Sequence, residues 1–64
     1  MRVGDTVEVI KLNNDKKAPY YKHTIGKVGI IREIDEDGSI GVDFRNVPYS
    51  RSTWFDYDEL KVIQ

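Results

Sequence analysis

Residues 34–44 read IDEDGSIGVDF, and this pattern predicts a β-hairpin. The Asp37-Gly38 pair provides the positive φ angle that a tight hairpin turn needs. After the turn, Ile40, Val42 and Phe44 alternate with small or polar residues, as expected for a strand with one buried face. The hairpin therefore indicates an antiparallel sheet and predicts three residues of its core.

Further strands are predicted on both sides of this hairpin. They are short, rich in β-branched and aromatic residues, and bounded by Gly, Pro, Asn or Asp. In the first strand, Val7 and Val9 are expected to face the core, and a register change or a bulge is expected near Gly29 in the second. The five predicted strands are Thr6–Leu12, Gly26–Ile34, Ser39–Phe44, Tyr49–Phe55 and Lys61–Ile63.

The connections between the strands differ greatly in length. Residues 13–25 form a long, polar first loop, and loops of this length are often functional. Residues 45–48 make a short connection that ends at a proline, which cannot donate to a strand ladder. Residues 56–60 predict one 3₁₀ turn, with Asp56 as its cap and Leu60 pointing inward.

Five short strands, a long first loop and a 3₁₀ turn before the last strand predict an all-β fold, a small five-stranded SH3-like barrel. Closing the sheet also removes the exposed edges that a chain rich in Val and Ile must avoid. A five-stranded OB-type barrel is the alternative, but it needs a helix between strands three and four. With 64 residues, the chain is expected to form a single domain over residues 1–64.

Several of these motifs resemble a known family. Residues 4–9 (GDTVEV) followed by 26–29 (GKVG) are similar to the start of many SH3-like barrels of translation and transcription. With residues 42–44, 46–47, 49 and 58–60, their order resembles the photosystem I subunit PsaE family and, more closely, YorP-like Bacillus prophage proteins. The resemblance implies the fold and a bacterial or phage context. The electron-carrier docking role of PsaE is not carried over, because the first loop is longer here and the basic residues do not align.

The composition limits the chemistry and location of the protein. The chain has no Cys and one His, so neither a disulfide nor a metal centre is expected, and no cofactor. No apolar run approaches the roughly 20 residues of a membrane span, and no signal peptide is recognisable. These features predict a cytoplasmic protein without a membrane partner. Residues 1–32 carry a net charge of +4 and residues 33–64 one of −5, which folding either mixes or leaves polarised.

Motifs for catalysis or ion binding are weak. His23 is flanked by Lys22 and Thr24 and is predicted to be an exposed loop residue. The acids of residues 35–37 lack the remaining ligands of a calcium loop, which favours a solvated hairpin tip. Gly26-Lys27 lacks the rest of a phosphate-binding loop. The protein is therefore expected not to be an enzyme.

The aromatic residues are the more informative set. Trp54 and Phe55 are adjacent on a predicted strand, so their side chains should point to opposite faces. Either one of them is exposed as a binding anchor, or the loop carrying Tyr20 and Tyr21 covers it. Tyr57 lies on the predicted 3₁₀ turn. Proline-binding SH3 domains use aromatics of these two elements, but their tryptophan stands at the start of the third strand, where this chain has Ser39.

Two functions follow from these residues. The first is a small, monomeric, non-catalytic module that binds a protein partner. Its candidate contact residues are Tyr20, Tyr21, Lys22, Tyr49, Arg51, Trp54 and Tyr57. The second is nucleic-acid binding, with tyrosine stacking and phosphate contacts from Lys16, Lys17, Lys22, Lys27, Arg45 and Arg51. The acidic pI of about 5.7 argues against the second function.

Overall fold

A computed structural model describes residues 1–13, 19–44 and 53–63, without the side chains of residues 19 and 20. It contains five short strands, a single turn of α-helix and one 3₁₀ turn. In chain order these are β1 (Thr6–Val9), α1 (Pro19–Lys22), β2 (Val28–Ile34), β3 (Ile40–Asp43), β4 (Thr53–Phe55), the 3₁₀ turn (Tyr57–Glu59) and β5 (Leu60–Val62).

The strands form one antiparallel sheet in the order β4-β3-β2-β1-β5. The two outer strands, β4 and β5, are consecutive in the chain and are joined only through the 3₁₀ turn. The sheet must therefore curl until these edges approach each other, which makes it a barrel with extents of 26 × 24 × 19 Å. This arrangement confirms the predicted SH3-like barrel.

The core lies on the concave side of the sheet and follows the predicted alternation. Val7 and Val9 of β1 are buried, as are Ile40, Val42 and the following Phe44. Ile31, Phe55 and Leu60 complete the set. The inward position of Leu60 is also as predicted, because residue 60 pairs with Val9 across β1 and β5.

The predicted hairpin is present. The N–H of Asp35 donates to the carbonyl of Ser39 at 2.8 Å, and the N–H of Gly38 donates to the carbonyl of Asp35 at 3.0 Å. Gly38 has φ +94°, the left-handed conformation that glycine adopts without a steric penalty. The turn chemistry of Asp37-Gly38 therefore sets the register of β2 against β3.

The predicted bulge near Gly29 is wrong in position. Val7 pairs regularly with Gly29, and the register of β2 against β3 shifts instead between Ile31 and Glu33. Gly29 is buried because Phe44 and Val42 crowd its inner side, where a Cβ would lie 2.6 Å from the Val42 Cγ1. The glycine therefore marks a close approach of side chains and not an extra residue.

The strand boundaries also differ from the predicted ones. β1 ends at Val9 and not at Leu12, and the N–H of the next residue, Ile10, donates to the carbonyl of Glu59 at the end of the 3₁₀ turn. The first loop contains α1, which the sequence did not predict. The predicted connection 45–48 and the start of the predicted fourth strand, residues 49–52, lie outside the described residues. The single domain over residues 1–64 stays a prediction.

Candidate protein-interaction surface

The first loop leaves the barrel at a carboxylate that is completely buried. Glu59 accepts hydrogen bonds from the backbone N–H groups of Asn13 and Asp56, each at 2.6 Å. Two donors on one carboxylate offset much of the cost of removing it from water. Glu59 therefore ties the start of the first loop to the 3₁₀ turn.

Polar side chains extend this connection to the surface. The Asn13 side-chain amide donates to Asp56 at 2.9 Å and to Asp58 at 3.1 Å, and Lys11 lies 3.0 Å from the other Asp58 oxygen. The hydrogen bond from Lys11, followed by that from Asn13, lowers the pKa of Asp58. Sequence reasoning recognised Asp56 as a cap but missed Glu59, although an acidic residue three positions after a cap is a known signature.

Tyr21 is the aromatic residue that covers the core. Its ring meets Phe55 edge to face, with the ring centroids 5.6 Å apart, and its hydroxyl donates to the Trp54 carbonyl at 3.1 Å. The buried hydroxyl of Thr24 donates back to the Tyr21 carbonyl at 2.6 Å and holds the end of α1 in place. Of the two alternatives for the Trp54-Phe55 pair, the structure shows that the loop covers Phe55.

Trp54 lies on the opposite, outer face of the sheet. It pairs with Gly41 across β3 and β4, and its six-membered ring reaches over that glycine. A Cβ built on Gly41 would be 3.3 Å from the nearest Trp54 ring carbon and 3.5 Å from the Glu33 Cβ. An aromatic side chain that covers a glycine across the strand stabilises the sheet. Trp54 has this packing role and still keeps part of its surface open to solvent.

The other candidate residues are placed separately. Lys22, the last residue of α1, and the following His23 are exposed, which confirms the prediction for His23. Tyr57 is 67% exposed on the 3₁₀ turn. The side chain of Tyr20 and the whole of Tyr49 and Arg51 lie outside the described residues. Because Tyr21 points to the core and Trp54 to the outer face, these two side chains do not line one groove.

Aliphatic side chains form a patch on the same outer face as Trp54. Val28 and Ile30 lie two positions apart on β2, Ile30 pairs with Thr6, and the N–H of Ile63 donates to the Thr6 carbonyl. The three aliphatic side chains are 48%, 37% and 44% exposed, respectively. We call Val28, Ile30, Ile63 and the central Thr6 the aliphatic patch. Nothing in the sequence pattern singled it out, because the apolar residues of 28–31 do not alternate with polar ones.

Charged side chains border the aliphatic patch. Arg32 forms an ion pair with Asp43 at 3.0 Å, and Asp43 is the neighbour of Ile30 on β3. On the other side, Glu8 faces Lys61 across β1 and β5. An apolar centre with a charged rim is the usual composition of a protein interface.

The described residues offer little for catalysis or ion binding. They contain no group of three His, Cys, Asp or Glu side chains arranged to hold a metal ion. The acidic hairpin tip is exposed, and the Asp37 carboxylate accepts the Ser39 N–H at 2.9 Å, which lowers the pKa of Asp37. No helix in the described part of the chain has the length and hydropathy of a membrane span.

The strand order and the 3₁₀ turn before the last strand define a small SH3-like domain. No protein-family model matches the sequence, and no curated protein matches it either. A solved structure does: the cyanobacterial cytochrome b6f complex subunit PetP, in solution. The two folds superimpose with a TM-score of 0.79 at 28% sequence identity, over 100% of this chain and 81% of that chain.

This likeness corrects one prediction and leaves others open. The cytoplasmic location is contradicted, because the neighbour is a subunit of a membrane-associated complex. The prediction of a cytoplasmic location relied on the lack of an apolar span, but a small domain can join such a complex through protein contacts alone. The YorP-like prophage origin, the PsaE resemblance and the monomeric state stay predictions.

Proposed function

We propose that this protein is a non-catalytic binding module that serves as a small accessory subunit of a larger protein complex. The observation that carries the proposal is the likeness to a complex subunit over the full length of the chain. At 28% identity the likeness extends beyond the backbone path, and it concerns a protein whose described role is to be part of an assembly.

The surface of the described residues supports this proposal. An interface of standard size takes about 800 Å² from each partner, which is roughly a sixth of the 4523 Å² that the domain exposes. The outer sheet face offers an apolar centre, a charged rim and a rigid backbone held by strand pairing. Of the candidate contact residues, Trp54 lies on this face, whereas Tyr57 and Lys22 are exposed elsewhere.

Nucleic-acid binding is the alternative. It requires a concentration of positive charge, whereas the chain has a net charge of −1. Among the described lysines of that candidate set, Lys22 and Lys27 are exposed. Salt separates the two functions, since phosphate contacts make affinity fall steeply with the logarithm of salt concentration.

Affinity purification from the native host tests the proposal. The full-length tagged chain is purified from both the soluble and the detergent-solubilised fractions, because the neighbour belongs to a membrane-associated complex. We expect one defined set of proteins at constant stoichiometry, retained after nuclease treatment and at moderate salt. The tag alone is the control. Failure to retain any protein, or complete loss after nuclease, would contradict the proposed function.

A further inference from the structure

We propose that the free edge of β5 pairs with the same edge of a second copy of this chain, around a two-fold axis at Val62. The two β5 strands run antiparallel, and each Val62 donates its N–H to the carbonyl of the other. This inference goes beyond the proposed function and does not depend on it, because it concerns contacts of the chain with itself.

The two edges of the sheet differ in the described part of the chain. At the β4 edge, the Trp54 carbonyl accepts the Tyr21 hydroxyl at 3.1 Å, so the first loop covers part of this edge. At the β5 edge, no described residue pairs with the strand on the side away from β1. An uncovered strand edge is a template for pairing with another strand.

The register of β5 shows which backbone groups point to this free side. The N–H of Ile63 donates to the Thr6 carbonyl of β1 at 2.9 Å. Because bonded positions alternate along an antiparallel pair, Leu60 and Val62 direct their N–H and C=O groups away from β1. The Leu60 N–H is already bonded to the Tyr57 carbonyl. Val62 therefore provides both the donor and an acceptor at the free edge.

This donor–acceptor pair makes the edge complementary to itself. A two-fold interface is formed by the same surface of both copies, so its central residue must offer a donor and an acceptor on the same side. In an antiparallel pair centred on Val62, the two copies exchange both N–H···O=C bonds at this residue. The two Val62 side chains, each 42% exposed in the single chain, then cover each other.

The neighbouring side chains fit the same register. With Val62 on the axis, Lys61 of each copy stands opposite Ile63 of the other, so like charges are not directly opposed. The aliphatic stem of Lys61 packs on Ile63, which is 44% exposed, while its charge stays next to Glu8 of its own chain. The pairing also places the aliphatic patches of both copies on one side of a continuous sheet.

The short strand makes this association weak. β5 spans three residues, and the paired edge is far smaller than the roughly 800 Å² per partner of a standard interface. We therefore expect a reversible dimer with a Kd of about 0.1–1 mM. In sedimentation equilibrium, the mass of the untagged full-length protein should rise from 7.4 kDa towards twice that value as its concentration approaches the Kd. A mass that stays monomeric up to about 1 mM would overturn the inference, whether the edge remains free or takes a strand of another protein.

Backbone N-methylation at Val62 tests the proposed hydrogen bond, and a chain of 64 residues is accessible to chemical synthesis. The methyl group removes the donor but leaves the side chain and the hydrogen bonds within the barrel unchanged. We expect an unchanged Tm and loss of the dimer. N-methylation at Ile63, whose N–H donates within the barrel, is the matched control and should lower the Tm. A dimer that survives methylation at Val62, or a Tm loss equal to that of the control, would contradict the proposed edge.

A disulfide trap locates the two-fold axis. The chain has no cysteine, so Val62→Cys carries a single thiol. Directly paired Cα atoms lie about 5.5 Å apart, which is within the range that a disulfide spans. The matched control is Ile25→Cys, at a position in the first loop that is 50% exposed. In a glutathione buffer we expect about tenfold more covalent dimer from Val62→Cys than from Ile25→Cys. Equal yields, or no disulfide at position 62, would overturn the inference.

Discussion

Glu59 and Asn13 are 46 residues apart in the chain, yet the buried carboxylate of Glu59 accepts the backbone N–H of Asn13 at 2.6 Å. Together with the bond from the Asp56 N–H, this contact fixes the entry of the first loop against the 3₁₀ turn. The barrel is closed at this point by a polar interaction next to the apolar core.

Replacing Glu59 with Gln should therefore destabilise the fold. Each carboxylate oxygen of Glu59 now accepts one backbone N–H. In glutamine one of these oxygens is replaced by an NH₂ group, which cannot accept, so one buried N–H loses its hydrogen bond. We expect a loss of about 1–3 kcal/mol in the free energy of unfolding, measured by urea denaturation. E36Q, at the exposed hairpin tip, is the matched control and should be neutral. Equal stability of both variants would contradict the structural role of Glu59.

Two tyrosines allow a matched test of the aromatic contacts. Tyr21→Phe removes the hydroxyl that donates to the Trp54 carbonyl, whereas Tyr57→Phe removes a hydroxyl from a side chain that is 67% exposed. We expect the first change to cost about 1 kcal/mol and the second to be close to neutral. Chemical denaturation followed by circular dichroism measures both. A larger effect at Tyr57 would show that Tyr21 is not the aromatic residue that holds the loop.

Gly29→Ala tests the close approach inside the barrel. The added Cβ would lie 2.6 Å from the Val42 side chain and 2.8 Å from the Asp43 carbonyl oxygen, and the backbone cannot move away without disturbing β3. Overpacking of this kind costs about 1–3 kcal/mol, which lowers the Tm of a domain of this size by several degrees.

Gly41→Ala is the matched control for this glycine. Its Cβ would meet the Trp54 ring at 3.3 Å, a side-chain contact on the outer face that can relax. Differential scanning calorimetry should therefore show a smaller decrease in Tm for Gly41→Ala than for Gly29→Ala. The reverse order would show that Gly29 is not closely packed.

Asp58 should make stability depend on pH in the acid range. Hydrogen bonds from Lys11 and Asn13 lower the pKa of Asp58 in the folded protein below its ordinary value of 3.8. Because the folded-state pKa is the lower one, the stabilising contribution is fully present above the ordinary value of 3.8 and is lost as the pH falls through the folded-state pKa. The stability difference between wild type and D58N, measured by urea denaturation, should thus be larger at neutral pH than at about pH 2. Because both partners are exposed, the effect should be small.

Local sequence patterns were sufficient to predict much of the fold. Asp37-Gly38 predicted the hairpin because its turn type depends on the φ angles of adjacent residues. The alternation of Val7 and Val9 predicted the buried face of β1 for the same local reason. The outward positions of Val28 and Ile30 were not predicted, because a run of apolar residues has no alternation from which the buried face can be read.

The candidate surface was harder to predict from the sequence. Trp54 was recognised as a possible anchor, but its neighbours on the outer face come from four strands that only pairing brings together. The cover by the Tyr20-Tyr21 loop was one of two alternatives that the sequence left open, and the role of Glu59 was missed, since each depends on a contact across more than 30 residues of chain. The contact between Glu59 and Asp56 could have been predicted, because an acidic residue three positions after a cap is a known signature.

The sequence by itself determined the approximate positions of the strands, the hairpin turn and the 3₁₀ turn, because these depend on neighbouring residues. Its composition, with no cysteine, determined that the chain forms no disulfide. Only the tertiary structure decided that Phe55 is buried under Tyr21 and that Trp54 lies beside Glu33 on the outer face. The physical reason is the strand register. A shift of one residue would exchange the two faces of the sheet, and long-range pairing selects one register.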